Sequence, residues 1–155
     1  MDDIAVARAI HVLAVVVWIG GVSMVTTVVL KATRDAAEGV RLFEAVETRF
    51  SRQAQIAVLL AGASGFYMVE RLDLWDRFAD PAYWWMHAMV AIWLLFTLVL
   101  FVAEPLFLHR WFAERARRDP QGTLRLARRF HWVLLTLSLV TIFGAVAGSH
   151  GLFLF

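Results

Sequence analysis

Five histidines carry most of the metal-binding capacity of this chain, which contains no cysteine. Three stand in apolar surroundings: His11 in RAIHVLAVVVWIGG, His87 in WWMHAMVAIWLLF and His150 in GSHG. The other two, His109 and His131, stand among arginines. A neutral imidazole binds iron, copper or zinc, and in an apolar medium it is costly unless it bonds or coordinates something. Thioethers add a softer donor set, with Met68 in one apolar stretch and Met86 and Met89 flanking His87. The chemistry on offer is therefore metal or haem ligation, and the elements holding these residues decide which.

The chain is 61% hydrophobic, with seven tryptophans, twelve phenylalanines and a mean hydropathy of +0.67. That composition belongs to a membrane protein. Charges divide it into four apolar stretches, Ala9 to Leu30, Gln53 to Val69, Pro81 to Ala103 and Phe130 to Phe155. A spanning helix needs roughly 20 residues, with a tolerated range of about 17 to 25, and the second stretch only just qualifies. The first is too long and uniform for a removable leader and is read as a retained helix. The expectation is an all-α integral membrane protein, one domain over 1–155, with helices at about 4–30, 52–70, 82–110 and 128–155. Short connections favour an up-down bundle of four transmembrane helices.

The cations set its orientation. Five Lys/Arg fall between Lys31 and Arg52 and seven between Arg110 and Arg129, leaving only Arg8, Arg71 and Arg77 on the other side. Positive loops stay in the cytoplasm, so both termini are expected on the outer, periplasmic side of a bacterial cytoplasmic (inner) membrane. The basic pI follows from this topology and calls for no nucleic acid, because the Arg-rich loop lacks aromatic interleaving. The segment 34–53, with Val40, Phe43, Val46 and Phe50 at helical spacing, extends the second helix inward. Residues 70–85 form an interfacial turn leading to the aromatic anchor Tyr83, Trp84 and Trp85. No P-loop, dinucleotide fingerprint or nucleophile elbow occurs.

In this topology, distance along a helix becomes depth. His11, His87 and His150 fall in one layer, on the order of 5 to 10 Å beneath the outer surface at 1.5 Å rise per residue, while His109 and His131 mark the inner ends of helices three and four. Ionisable side chains at membrane depth tend to face the interior and carry function. Glycines in WIGG, AGASG and FGAVAGSHG leave room for a flat macrocycle, or else for close helix packing. His11 shares a face with Ala14, Val15, Trp18 and Val22; His87 shares one with Val90, Ala91 and Leu94. Helices one and three are diagonal in a square bundle, so His11 and His87 are the expected axial ligands of a b-type haem. His150 is an alternative ligand, a propionate partner or a proton relay. Arg8, one turn outward of His11, suits a propionate, a lipid phosphate or Glu70 equally. Copper is the competing metal, through Met68, Met86 and Met89, but Met86 and His87 point apart and no cysteine is present. Glu104, before a kink at Pro105, either ends a proton path or pairs with Arg128 or Arg129.

RAIHVLAVVVWIGG resembles the opening helix of the HemJ-type protoporphyrinogen oxidases and the related CopD-like copper-resistance membrane proteins, and WWMHAMVAIWLLF resembles their third helix. The resemblance runs through all four stretches and implies a four-helix bundle with haem b, His11 as one axial ligand and His87 as the helix-three histidine. It also implies a lysine two residues after that histidine, where this chain has Met89. The likeness therefore bears on scaffold and haem more than on porphyrinogen oxidation.

The expected function is that of a b-type cytochrome passing electrons between a quinol or redox protein and an acceptor near the outer face. As an enzyme it would be a haem-dependent membrane oxidoreductase. Copper transport or binding, a HemJ-like oxidase, and an accessory subunit of a membrane complex or homo-oligomer are the alternatives.

Overall fold

A computed structural model describes residues 2–32 and 36–152. Among these residues the chain is helical throughout, with no strand. Helix α1 covers Asp2–Thr27 and α2 Ala36–Arg71. A continuous rod follows, made of α3 (Trp84–Leu98), a π-helical segment (Val99–Leu108) and α4 (His109–Arg118). Helix α5 runs over Pro120–Ser149. Short 3-10 turns at Val29–Lys31, Trp75–Phe78 and Pro81–Tyr83 complete the connections.

Local chemistry fixes the helix ends. The Asp80 side chain accepts from the Ala82 N–H at 2.9 Å ahead of Pro81, and Asp119 accepts from the Gly122 N–H at 2.8 Å ahead of Pro120. In both, an acidic cap satisfies a free N–H and proline sits where no N–H is needed. The far ends of α2 and α5 close alike. Leu74 N–H donates to Val69 O and Asp73 N–H to Glu70 O, with Asp73 at φ 50°. Leu152 N–H donates to Ala147 O and Gly151 N–H to Gly148 O, with Gly151 at φ 88°. This paired closure stops a helix at a left-handed residue. Because Gly151 takes that position, α5 ends at Ser149 and not near Phe155 as expected; residues 153–155 lie outside the described residues.

Three helical stretches, Asp3–Lys31, Pro81–Arg118 and Pro120–Ser149, are long and apolar enough to cross a membrane. Helix α2 is not among them. The exposed surface is itself apolar, with Leu13, Val16, Ile56, Leu98, Leu106 and Phe143 all outward. A helix surface apolar on every side belongs in lipid or a core.

Neighbouring rods are antiparallel. At one end, near both termini, Tyr67 Oη and Arg71 donate to Asp3 at 2.8 and 3.1 Å, and Trp85 lies against Gly148. At the other, basic end, Arg128 donates to the Leu30 carbonyl at 2.7 Å and the Lys31 ammonium lies over the Trp132 ring. Ala54, Ala57 and Ala61 let α1 run close along α2. Trp18 and Phe96 meet edge to face at 4.7 Å in the middle, and Phe43, Val25, Leu30 and Ala127 form a second core at the basic end.

Candidate functional site

His11 lies on the buried stripe of α1, between Ala7 and Ala14 and in line with Trp18 and Val22, as its expected face requires. Its Nδ1 is 2.9 Å from the Ala61 carbonyl and 3.2 Å from Ser64 Oγ, both on α2. A carbonyl only accepts, so Nδ1 carries the proton and Nε2 keeps its lone pair. Ser64 donates to Leu60 O at 2.5 Å, which leaves its oxygen free to accept. Gly65 gives the ring its place, since a Cβ there would lie 3.2 Å from His11 Cε1. A backbone carbonyl fixing Nδ1–H while Nε2 is presented is the arrangement in which histidine serves as a metal ligand. Further along the same stripe, Trp18 Nε1 is buried with no hydrogen-bond partner among the described residues.

The other residues of the expected layer do not join it. His87 is exposed, as are Ala91, Leu94 and Leu98 on the same stripe, while Trp85, Met86, Phe96 and Leu100 form the buried side. The His87–Ala91–Leu94 face thus points away from the bundle, and the imidazole and the Phe78 ring meet edge to face with centroids 5.4 Å apart. His87 does not reach the His11 site within one chain. His150 is the exposed cap residue of α5, with Nδ1 2.8 Å from the Val146 carbonyl of its own helix. Arg8 is exposed. Met86 is buried while His87 is exposed, so these two do not face one site. Among the described residues no three of His, Asp and Glu gather as a metal would need.

Three of the glycines expected to make room for a macrocycle, Gly62, Gly144 and Gly148, accommodate indoles instead. An added Cβ at Gly62 would lie 2.5 Å from Trp93 Nε1; at Gly144 it would meet Trp84, and at Gly148 Trp85. Trp93 Nε1 donates to the Val58 carbonyl at 3.0 Å across this close approach. The residues present therefore fit one imidazole ligand, His11, and do not fit a pair from His11 and His87.

A second polar site forms at the basic end, between α2 and the π segment. Proline at 105 has no N–H, and by i→i+5 counting the carbonyl it leaves without a helix donor is that of Leu100. Gln55 Nε2 donates to that carbonyl at 3.1 Å. One turn along α2, Ser51 Oγ donates to Glu104 Oε2 at 2.6 Å. Glu104 thus bonds Ser51 rather than Arg128 or Arg129. Another turn along, burial together with the neighbouring Glu104 and Glu44 pushes the Glu47 carboxyl up to about 7. Ser51, Gln55 and Glu104 border a cleft of about 410 Å³, with Arg52, His109 and Arg110 also in its lining. His131 turns elsewhere, its Nδ1 2.9 Å from Ala127 O and its ring perpendicular to that of Phe43. Sequence reasoning found Glu104 and Pro105 but missed Ser51 and Gln55. Their i, i+4 spacing puts both on one face of α2, and only the fold shows what that face meets.

Compared with family models, curated proteins and solved structures, the chain matches none.

Proposed function

We propose that the chain is a b-type cytochrome of a bacterial cytoplasmic membrane, crossing it four times with both termini outside, and that His11 is its own axial ligand to the haem. The observation that carries this is the bonding of His11, a residue on the interior stripe of α1: with Nδ1–H committed to Ala61, the lone pair for a metal is that of Nε2. The unpartnered Trp18 Nε1 on that stripe supports it, because a buried donor without an acceptor is costly unless something else occupies the site. Resemblance of RAIHVLAVVVWIGG to a haem-binding family points the same way. The crossing by α2 is supported by its packing along α1 and by the cations that α2, α4 and α5 collect at one end.

A bound haem would supply one-electron transfer. The chain's part is to fix the His11 ring through Ala61 and Ser64, and to keep water out with Trp84, Trp85 and Trp93. His87 plays no part in this reading.

Protein purified from haem-replete cells should show a Soret band and a dithionite-reduced b-type spectrum. Both should vanish in His11→Ala and persist in His87→Ala. Colourless wild-type protein, or a spectrum indifferent to His11, ends the reading, and stoichiometric copper without porphyrin absorbance would replace it with a copper site.

A further inference from the structure

The cleft between α2 and the π segment is not used by the haem reading. It lies toward the basic end, below the Phe43–Phe112 contact and beside Gln55, so it runs from the middle of the bundle toward Arg110. Its charge is asymmetric. Arg52 and Arg110 are permanent cations, whereas Glu104, its carboxylate, is engaged by Ser51. Apolar surface continues outward from the polar lining: Phe107 is part of the wall, and Leu106 and Phe107 are 68% and 57% exposed on the side of the rod. Two guanidiniums facing an opening match a phosphate, with its several acceptor oxygens, better than they match a neutral ring. Apolar wall beside them matches an acyl chain and is wasted on a soluble anion. A volume of about 410 Å³ is in the range of small-molecule sites, roughly 300 to 1,000 Å³.

We infer that this cleft is a binding site for one anionic phospholipid, its head-group phosphate between Arg52 and Arg110 and an acyl chain along Leu106 and Phe107. The π segment around Pro105 forms one wall of the site and α2 the other, and Gln55 closes its floor by taking the stranded Leu100 carbonyl. The leaflet follows from the proposed topology and is the cytoplasmic one; nothing in the inference depends on haem.

Native mass spectrometry of the full chain, released from nanodiscs of phosphatidylcholine doped with phosphatidylglycerol, reads this directly. The wild type should retain one phosphatidylglycerol with a preference of about tenfold over phosphatidylcholine. The preference should disappear in Arg52→Gln/Arg110→Gln and survive in Arg118→Gln, whose arginine pairs with Glu114 on an exposed face. Circular dichroism should show the same helix content in all three. Equal retention of both lipids, or a preference that outlasts the double substitution, overturns the inference. So does displacement of the lipid by excess inorganic phosphate, which would make the site one for soluble anions, or a retained quinone in place of lipid. Retention is measured as mass whether or not the protein is coloured, so loss of the haem reading and loss of this one are separate results.

Discussion

The two ends of the bundle invert each other. Near the termini, the three histidines expected in one layer face three directions: His11 into α2, His87 outward and His150 onto the end of its own helix. Near the basic end, residues of unremarkable type converge, with Ser51, Gln55, Glu104 and Glu47 meeting around a proline-interrupted segment. Depth is a single coordinate. A helix rotates about 100° per residue, so a common height leaves direction open, and a cofactor layer needs both. The terminal end packs indoles into glycine notches, and the basic end ties α2 by side-chain bonds to a helix that has lost a donor.

The contrast breaks most readily at the notches. Gly62→Ala places a methyl group against Trp93, whose indole is tied to Val58, and should cost about 1–3 kcal/mol in thermal unfolding. Gly20, with nothing within 4 Å, is the control, and Gly20→Ala should be neutral or stabilising by up to about 1 kcal/mol. Equal costs at the two positions would mean that the terminal end is not close-packed.

At the basic end the expected effect depends on pH. Glu47 moves from an ordinary 4.5 up to about 7, so the folded chain holds its proton more tightly than the unfolded chain does. The resulting stability is complete below about pH 4.5 and is lost as pH rises to about 7. Glu47→Gln should therefore raise stability at pH 8 by about 1–2 kcal/mol and leave it unchanged near pH 4. The same gain at both pH values would remove the carboxyl cluster from the account.

The smallest effect is a coupling. Gln55→Leu leaves the Leu100 carbonyl without its donor and should cost about 1 kcal/mol. Pro105→Ala restores an N–H to the rod, so the cost of Gln55→Leu in that background should fall by about half or more. Strict additivity of the two substitutions would show that Gln55 does not answer the proline.

Sequence made a good deal of this legible, and the pattern of success is physical. Apolar length marks where α3 begins, and Val40, Phe43, Val46 and Phe50 disclose the long extension of α2; α5 starts at Pro120, ahead of the expected 128, because the Asp119 cap and Pro120 set its end where apolar length gives no signal. Phe43 is indeed among the most buried side chains. His11 is legible because its helix is apolar all round while Ala7, Ala14, Trp18 and Val22 mark one side with small or aromatic residues. The outward turn of His87 is not legible, since Ala91, Leu94 and Leu98 are apolar whether they face lipid or core. In a soluble protein polarity would have labelled that face; in lipid it does not. The Gln55 bond is hidden for another reason: its acceptor is a backbone carbonyl 45 residues away, which leaves no trace in residue type.

Helix α2 has a consequence for how the protein is made. It is 36 residues long, yet its apolar part stops at Gln53 and the remainder carries Glu44, Glu47, Arg49 and Arg52. On the proposed topology such a segment partitions poorly into lipid by itself, while α1, already synthesised, offers it an alanine-lined neighbour and the Asp3 contacts at its far end. On that proposed topology the unit entering the bilayer is the α1–α2 hairpin, with the first helix acting for the second as a chaperone encoded in the same chain.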